Sequence, residues 1–253
     1  MQLNYSKNKK GLYILKKEDY DEIASVVLGE YQPIMLLRPQ PLEVEDLICD
    51  KLRLDMKNAR LSEDGRIFGA IAFSDTVYNG FDTSGTPVKI DMPEGTMVLE
   101  ERLMSDMRYI GQQRFAKMHE GAHWILHRQY HSSMRGRNYE FPAKEETSSI
   151  SCHMMVDPRY LAGRSGKWTD YQWEEWQANN LAAALLMPKA TFITVARRIM
   201  RFYGIRDTEP LYWDENLGIS HRIVDEIKNI YEVSKAAVEL RMVRCNLLER
   251  GTL

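Results

Sequence analysis

The sequence predicts an α+β fold in which a small, mostly antiparallel sheet packs on one long helix, with a helical region after it. Two patterns lead to this prediction. Residues 66–99 contain short apolar segments separated by glycine, proline and aspartate, which is typical of strands and turns. Segments before and after them repeat apolar side chains at intervals of three and four residues, which is typical of amphipathic helices.

The composition indicates an ordinary globular chain of 253 residues, 44% hydrophobic and 28% charged. A formal net charge of −2 gives no indication of direct nucleic-acid binding. The polar N-terminus and the lack of a long apolar run predict a cytoplasmic protein without a membrane partner. Three widely spaced cysteines, Cys49, Cys152 and Cys245, argue against a disulfide framework.

Two helices and then three strands are expected in the N-terminal half. Residues 17–31 have an apolar face and stop before Pro33, and residues 42–52 form a shorter amphipathic segment. The first helix should cover the core. Strands of a three- or four-stranded sheet are expected at residues 66–73, 88–91 and 96–99.

The HExxH pattern formed by His119, Glu120 and His123 is typical of zinc hydrolases. On a helix predicted from about Gln112 to Gln129, the two imidazoles lie one turn apart and can converge on one metal ion. The Glu120 carboxylate can then act as the general base toward a water molecule in an open zinc position. Two ordinary surface histidines are the alternative, but the apolar face of this helix favours a buried, rigid platform.

His127 and His131 continue this row of histidines at the same spacing. Four residues overshoot one helical turn by roughly 40°, so His127 is rotated by roughly 80° from His119. We therefore expect His127 to be buried or to support a ligand rather than to bind the metal itself. His131 is expected at the surface.

A small sheet followed directly by such a helix resembles the upper half of a zincin-like peptidase, in which an edge strand can hold an extended peptide. We expect a zincin-like metallopeptidase domain over residues 1–190 and a helical C-terminal region over residues 191–253. Residues 132–172 are polar and rich in breaks, which predicts a long loop near the cleft. Within it, Cys152 and His153 form one adjacent pair without a second pair to complete a metal site.

A third ligand is expected on the helix predicted at residues 173–188. Glu175 is followed on its face by Ala178 and Ala182, so another helix can approach closely below the carboxylate. Helical spacing leaves Glu174 open as the alternative. Either glutamate can also be an ordinary residue that interacts with the helix dipole.

Two motifs of this chain resemble the ImmA/IrrE family of metallo-endopeptidases. Residues 114–127 follow the family's RFxxxHExxHxxLH pattern, and residues 175–188 follow its ExxANxxAxxLLMP pattern. The strands between residues 69 and 91 and the segment 231–242 also look like parts of the family. Carried over residue by residue, the resemblance implies zinc bound by His119, His123 and Glu175, with Glu120 as the general base.

The sequence departs from the family at Met118, at Leu181 and in the length of the loop before the second motif. None of these departures changes a ligand, but no substrate-binding residue is carried over from the loop. Members of the family often cleave helix-turn-helix repressors and thereby switch on mobile-element or stress genes. The resemblance therefore implies a helix-turn-helix transcriptional repressor as the protein substrate.

Helices are expected in the C-terminal region at residues 191–203, 220–230 and 234–247, with Ser234 as an N-cap. The last two, joined by a tight turn, resemble a helix-turn-helix, although nearly balanced charge favours packing against the core.

The reaction also needs a group that stabilises the developing oxyanion. His127 and Tyr130 are candidates, together with His153 and His221. Two other functions stay open. One is a regulatory binding protein with a structural zinc site, although an intact Glu120 argues against it. The other is a zinc hydrolase that acts on small amides.

Overall fold

The computed structural model describes residues 3–134, 149–153, 168–215 and 217–250. Over these ranges the chain is α+β, as predicted, with a small sheet on one side of a long helix and further helices on the other. None of the helices in the described ranges combines the length and apolar character that a bilayer crossing requires. Cys49 and Cys245 are free thiols.

The N-terminal helices lie close to their predicted positions. Helix α1 spans Asp19–Tyr31, and Pro33 opens a short 3₁₀ turn, Pro33–Leu36. Helix α2, Val44–Asp46, continues directly into a π-helical turn, Leu47–Lys51. The predicted apolar face of α1 is the face that packs into the core: Tyr20, Ile23, Ala24, Val27 and Leu28 are buried.

Five strands directly follow α2, and a sixth comes after the long helix: β1 (Asp55–Ala59), β2 (Ile67–Ala72), β3 (Thr76–Phe81), β4 (Pro87–Met92), β5 (Thr96–Glu100) and β6 (Ser149–His153). Four of them form one sheet in the order β1-β5-β2-β6. Only the β1-β5 pair is parallel, so the sheet is mostly antiparallel, as predicted. Strand β6 falls within the predicted loop and pairs with β2 at one edge.

The strand predicted at residues 88–91 exists as β4, but it does not belong to the main sheet. It pairs with β3 in a separate two-stranded ribbon. Sequence patterns missed β1 and β3. The side chains of β1 are mostly exposed, so its sequence lacks the alternation of a half-buried strand.

The long helix α4, Ile110–Met134, follows the short helix α3, Glu101–Met104. It begins two residues before the predicted start and extends five residues past the predicted end, so residues 132–134 are helical rather than part of a loop. Helix α5 spans Asp170–Leu186. Thr169 and Gln172 close its N-terminus in a capping box, each side chain accepting a hydrogen bond from the other's backbone N–H.

Helix α4 lies between the sheet and α5. Strand β2 crosses one side of α4, and α5 packs along the other. The buried part of α5 includes several alanines, and Ala178, Ala182 and Ala184 are completely buried. Small side chains let two helix axes approach closely. This contact brings the two predicted metal-binding motifs together.

The C-terminal helices are α6 (Lys189–Phe202), α7 (Leu217–Tyr231) and α8 (Lys235–Arg244), with the short parallel strands β7 (Leu211–Tyr212) and β8 (Leu248–Glu249) around the last two. As predicted, the Ser234 hydroxyl caps α8 by accepting a hydrogen bond from the Ala237 N–H. The apolar faces of all three helices join the main core. The predicted packing of α7 and α8 against the core is therefore confirmed.

The N-terminal turn of α4 packs against the turn between α7 and α8. Arg114 is buried and donates a hydrogen bond of 2.6 Å to the Leu42 carbonyl, and its guanidinium lies 3.8 Å from Glu232. A methyl group added at Gly111 would lie 2.4 Å from the carbonyl carbon of Val233 and 2.5 Å from the backbone nitrogen of Ser234. The absent side chain at Gly111 is therefore what lets these two segments touch.

Gly111→Ala is expected to lower the free energy of unfolding by about 1–3 kcal/mol, because the clash is with backbone atoms that cannot rotate away. Gly29→Ala is the matched control on α1. Its added methyl would meet only Leu36 Cδ1, at 3.9 Å, so improved helix propensity should stabilise the protein by about 0.5–1 kcal/mol. Chemical denaturation measures both, and equal effects would contradict the proposed contact.

Candidate metal centre

Helix α4 places His119 and His123 one turn apart, as predicted, with both side chains completely buried. Their Nε2 atoms lie 2.9 Å apart. Two imidazoles in such an arrangement point their Nε2 atoms at one common position. The HExxH spacing alone accounts for this part of the geometry.

Helix α5 brings Glu175 to the same position. Its Oε2 lies 3.4 Å from His119 Nε2, and its Oε1 lies 3.3 Å from His123 Nε2. The ligand atoms of the three residues all lie within 4.8 Å of one another. Glu175 is buried and lies in the second turn of α5, because the helix begins at Asp170 rather than at the expected residue 173. It is therefore not an exposed residue at the helix N-terminus.

The adjacent Glu174 points to a different partner. Its Oε2 lies 2.7 Å from His131 Nε2, and the His131 ring stacks on Phe73 at a centroid distance of 4.2 Å. His131, which was expected at the surface, is only partly exposed. Phe73 and Glu174 partly cover the ring, which leaves its side chain only 18% exposed.

Carboxylate oxygens that lack a hydrogen-bond partner show whether a metal ion would fit among these residues. Among the described residues, Glu175 Oε1 and both carboxylate oxygens of Glu120 are buried without a hydrogen-bond partner. Buried carboxylate oxygens without partners are costly unless a cation or proton neutralises them. Two imidazole nitrogens and one carboxylate oxygen are also a donor set that zinc uses in hydrolases. The residues at this position therefore fit a divalent metal.

The protonation states suit such a ligand set. Burial lowers the pKa of His123 to about 4, so its imidazole is neutral at pH 7. Burial alone would raise the pKa of Glu175, but the close approach of His119 and His123 outweighs it and lowers this pKa to about 2. Neutral imidazole and ionised carboxylate are the forms that bind metals.

Glu120 lies beside this position, directly against strand β2. Its side chain is completely buried, and burial, followed by the charge of Glu175, raises its pKa well above the usual value. A methyl group added at Gly69 would lie 2.6 Å from Glu120 Oε1 and 2.8 Å from its Cγ. The strand can therefore approach the carboxylate this closely only with glycine at position 69.

The outer nitrogens of the two histidines meet further polar side chains. His119 Nδ1 lies 3.1 Å from Asn179 Oδ1, and His123 Nδ1 lies 3.0 Å from His127 Nδ1. His127 Nε2 lies 3.0 Å from Gln177 Oε1. His127 is completely buried, as predicted, and contacts a histidine rather than the common position. Sequence reasoning missed both amides, although Asn179 lies one turn after Glu175 and therefore on the same face of α5.

The other candidate residues have different surroundings. The Tyr130 hydroxyl lies 3.5 Å from an Asp170 carboxylate oxygen. His221 is exposed on α7, with its ring 5.1 Å from that of Trp213. Cys152 and His153 belong to β6, but their side chains, like most of the predicted 132–172 loop, lie outside the described residues.

Residues 152–243 match the family model described as Peptidase_M78: IrrE N-terminal-like domain. This match confirms the resemblance to ImmA/IrrE metallopeptidases. The matched segment is less than half of the chain and contains α5 with Glu175, but not α4 with the HExxH residues. No curated protein and no solved structure matches the chain. The matched family is one of metallopeptidases, which are enzymes that cleave proteins.

Glu175→Ala is expected to weaken metal binding by more than about 100-fold, because it would remove a candidate ligand rather than a group that only supports one. Glu174→Ala is the matched control, since it removes the adjacent carboxylate and its contact with His131. Metal analysis after gel filtration, together with competition against a chelator, measures both. Loss of metal in the Glu174 variant with retention in the Glu175 variant would reverse the ligand assignment.

Gly69→Ala is expected to destabilise the protein by about 1–3 kcal/mol because the new methyl group overlaps Glu120. In a Glu120→Ala background this cost should fall by about 1 kcal/mol or more, which a double-mutant cycle of unfolding measures. Gly80 on β3 provides the control. A methyl group there would meet Ile90 and the Arg60 carbonyl, so the cost of Gly80→Ala should be the same in both backgrounds. An unchanged cost of Gly69→Ala would refute the contact.

Proposed function

We propose that this protein is a zinc-dependent endopeptidase of the zincin-like class, in which His119, His123 and Glu175 bind zinc and Glu120 is the general base. The observation that carries the proposal is the meeting of two helices far apart in sequence. Together they bring two imidazole nitrogens and a carboxylate oxygen to one buried position, beside a second carboxylate. The family match supports the peptidase part of the proposal independently.

Bound zinc would polarise the scissile carbonyl and lower the pKa of the attacking water. Side chains of the protein perform the proton transfers. Glu120 accepts a proton from that water and later delivers it to the leaving amine. Its buried position strengthens it as a base, and the close backbone of Gly69 limits where the carboxylate can lie.

His127 and Tyr130, the candidates for stabilising the oxyanion, differ in the hydrogen bonds that their polar groups already form. Both ring nitrogens of His127 face protein groups, one in His123 and one in Gln177, so we assign His127 to supporting His123. Tyr130 stays a candidate for stabilising the oxyanion, with its hydroxyl now near Asp170.

We further propose a helix-turn-helix transcriptional repressor as the substrate, on the basis of the family resemblance alone. In this proposal residues 1–190 form the zincin-like peptidase domain and residues 191–253 form the helical region that completes its core. Cleavage of such a repressor in the cytoplasm would release the genes that it controls, including those of mobile elements.

A regulatory binding protein with a structural zinc site is the second candidate. The complete burial of His119, Glu120 and His123 favours it, because structural zinc sites are closed whereas catalytic sites keep an open position. The presence of Glu120 favours the peptidase, since a structural site needs no base. The two functions differ in whether the bound partner is cut.

Glu120→Gln is expected to bind zinc as the wild type does but to cleave at least about 100-fold more slowly, because an amide cannot accept the proton. Purified helix-turn-helix repressors from the same genome and unfolded casein serve as substrates, and mass spectrometry detects the products. The control is Glu45→Gln, which changes a glutamate of α2 that contacts Lys117 on the helix that carries Glu120. This variant should cleave normally. Equal cleavage by Glu120→Gln would refute the mechanism. Binding without cleavage by the wild type would favour the regulatory protein.

A further inference from the structure

We propose that a directional chain of hydrogen bonds, from the Tyr13 backbone carbonyl through Gln177 and His127, holds His123 in the one tautomer that can bind a metal. Gln177 and His127 are then positioning residues that act through His123. The inference rests on the proposed role of His123 as a metal ligand, and it explains what orients the His123 ring and fixes the position of its proton.

The chain begins at a group that can only accept a hydrogen bond. The Gln177 side-chain N–H donates to the Tyr13 carbonyl oxygen at 2.7 Å. This contact determines which way the amide points, because the carbonyl could not pair with the amide oxygen. Gln177 is 1% exposed, so water offers no alternative partner. Its Oε1 is therefore directed at His127 Nε2, 3.0 Å away.

Each following step has only one consistent direction. Gln177 Oε1 only accepts, so His127 Nε2 carries a proton and donates it. In a neutral ring His127 Nδ1 is then the acceptor, and His123 Nδ1, 3.0 Å away, must be the donor. His127 is completely buried, which disfavours a second proton that would charge its ring. His123 Nε2 is consequently bare, and it is the atom that faces His119 and Glu175.

His119, the other proposed ligand histidine, is oriented by a single hydrogen bond rather than by a chain of them. His119 Nδ1 faces Asn179 Oδ1 at 3.1 Å, and an amide oxygen there selects the same Nδ1–H tautomer. Asn179 and Gln177 lie two residues apart on α5, which also carries Glu175. One helix therefore supplies the third ligand and the amides that orient the first two.

A second metal site is the competing explanation of the same atoms. His123, His127 and Glu174 also form a group with ligand atoms close enough to hold a cation. The hydrogen bonds account for these atoms without one, because His127 is paired at both nitrogens and Glu174 is paired with His131 at 2.7 Å. If these atoms form the proposed hydrogen bonds, the protein should bind one metal ion. If they form a second metal site, it should bind two.

Gln177→Met tests the proposal, since methionine has a similar shape but neither donates nor accepts strongly. Without the amide, His123 can adopt the tautomer that points an N–H at the metal position, so zinc affinity should fall about 10–100-fold. Chelator competition measures the affinity. Nitrogen-15 NMR of the metal-free protein should show His123 as a single Nδ1–H tautomer in the wild type and as a mixture in the variant.

Gln113→Met is the matched control. Gln113 is a buried amide on α4 that donates to the backbone carbonyls of Leu103 and Asp106, so its loss destabilises the fold without touching the histidines. It should leave zinc affinity and the His123 tautomer unchanged. Equal losses of affinity in both glutamine variants would overturn the proposal, because the effect would then reflect general destabilisation.

His127→Leu interrupts the same chain one step later and serves if Gln177→Met does not fold. It should produce the same loss of affinity and the same tautomer mixture, and adding Gln177→Met to it should cause no further loss. A wild type that binds no zinc would refute the proposed function itself. A wild type that binds one zinc, with unaltered affinity in the Gln177 and His127 variants, would refute only this inference. Two zinc ions per chain would also refute it, since His127 would then be a ligand.

Discussion

The packing of α5 on α4 is the contact on which the rest of the structure depends. The two helices carry different parts of the candidate site, and they meet through a face of α5 on which Ala178 and Ala182 are completely buried. Larger side chains would hold the helices apart and move the Glu175 carboxylate away from the two imidazoles. The alanines of α5 therefore matter for the site as well as for the core.

The interior of the site is unusual in the number of buried groups that accept hydrogen bonds. Carboxylates and neutral imidazoles at the common position need a positive charge to offset their desolvation. In the proposed tautomers the other side of each imidazole carries its N–H, which donates to the Asn179 amide oxygen from His119 and to the His127 ring from His123. The Tyr13 carbonyl and the Gln177 amide set the direction of the hydrogen bonds through His127. In the proposed arrangement the Nε2 atoms that face the common position carry no proton, which suits a cation better than a purely hydrogen-bonded core.

Much of this could be predicted from local sequence, for reasons that differ between elements. The HExxH residues share a helix, so their spacing alone determines that His119 and His123 converge. Ser234 as a cap and the apolar face of α1 are equally local. The edge strand β1 and the β3-β4 ribbon were missed or misplaced, because strand pairing joins residues far apart in sequence. His131 is less exposed than expected because Phe73 and Glu174 partly cover its ring.

The sequence by itself determined that two histidines and a glutamate would share one turn of a helix, and that a second helix with a flat face would carry a further carboxylate. Helical spacing left Glu174 and Glu175 open and the family resemblance favoured Glu175, but only the tertiary structure places Glu175 beside His119 and His123 and Glu174 beside His131. Adjacent residues on a helix point about 100° apart, and the rotation of α5 about its axis is set by its packing on α4. The same packing brings Gln177 to His127, and the sheet brings Gly69 to Glu120. These contacts join positions 50 or more residues apart, so tertiary packing creates them.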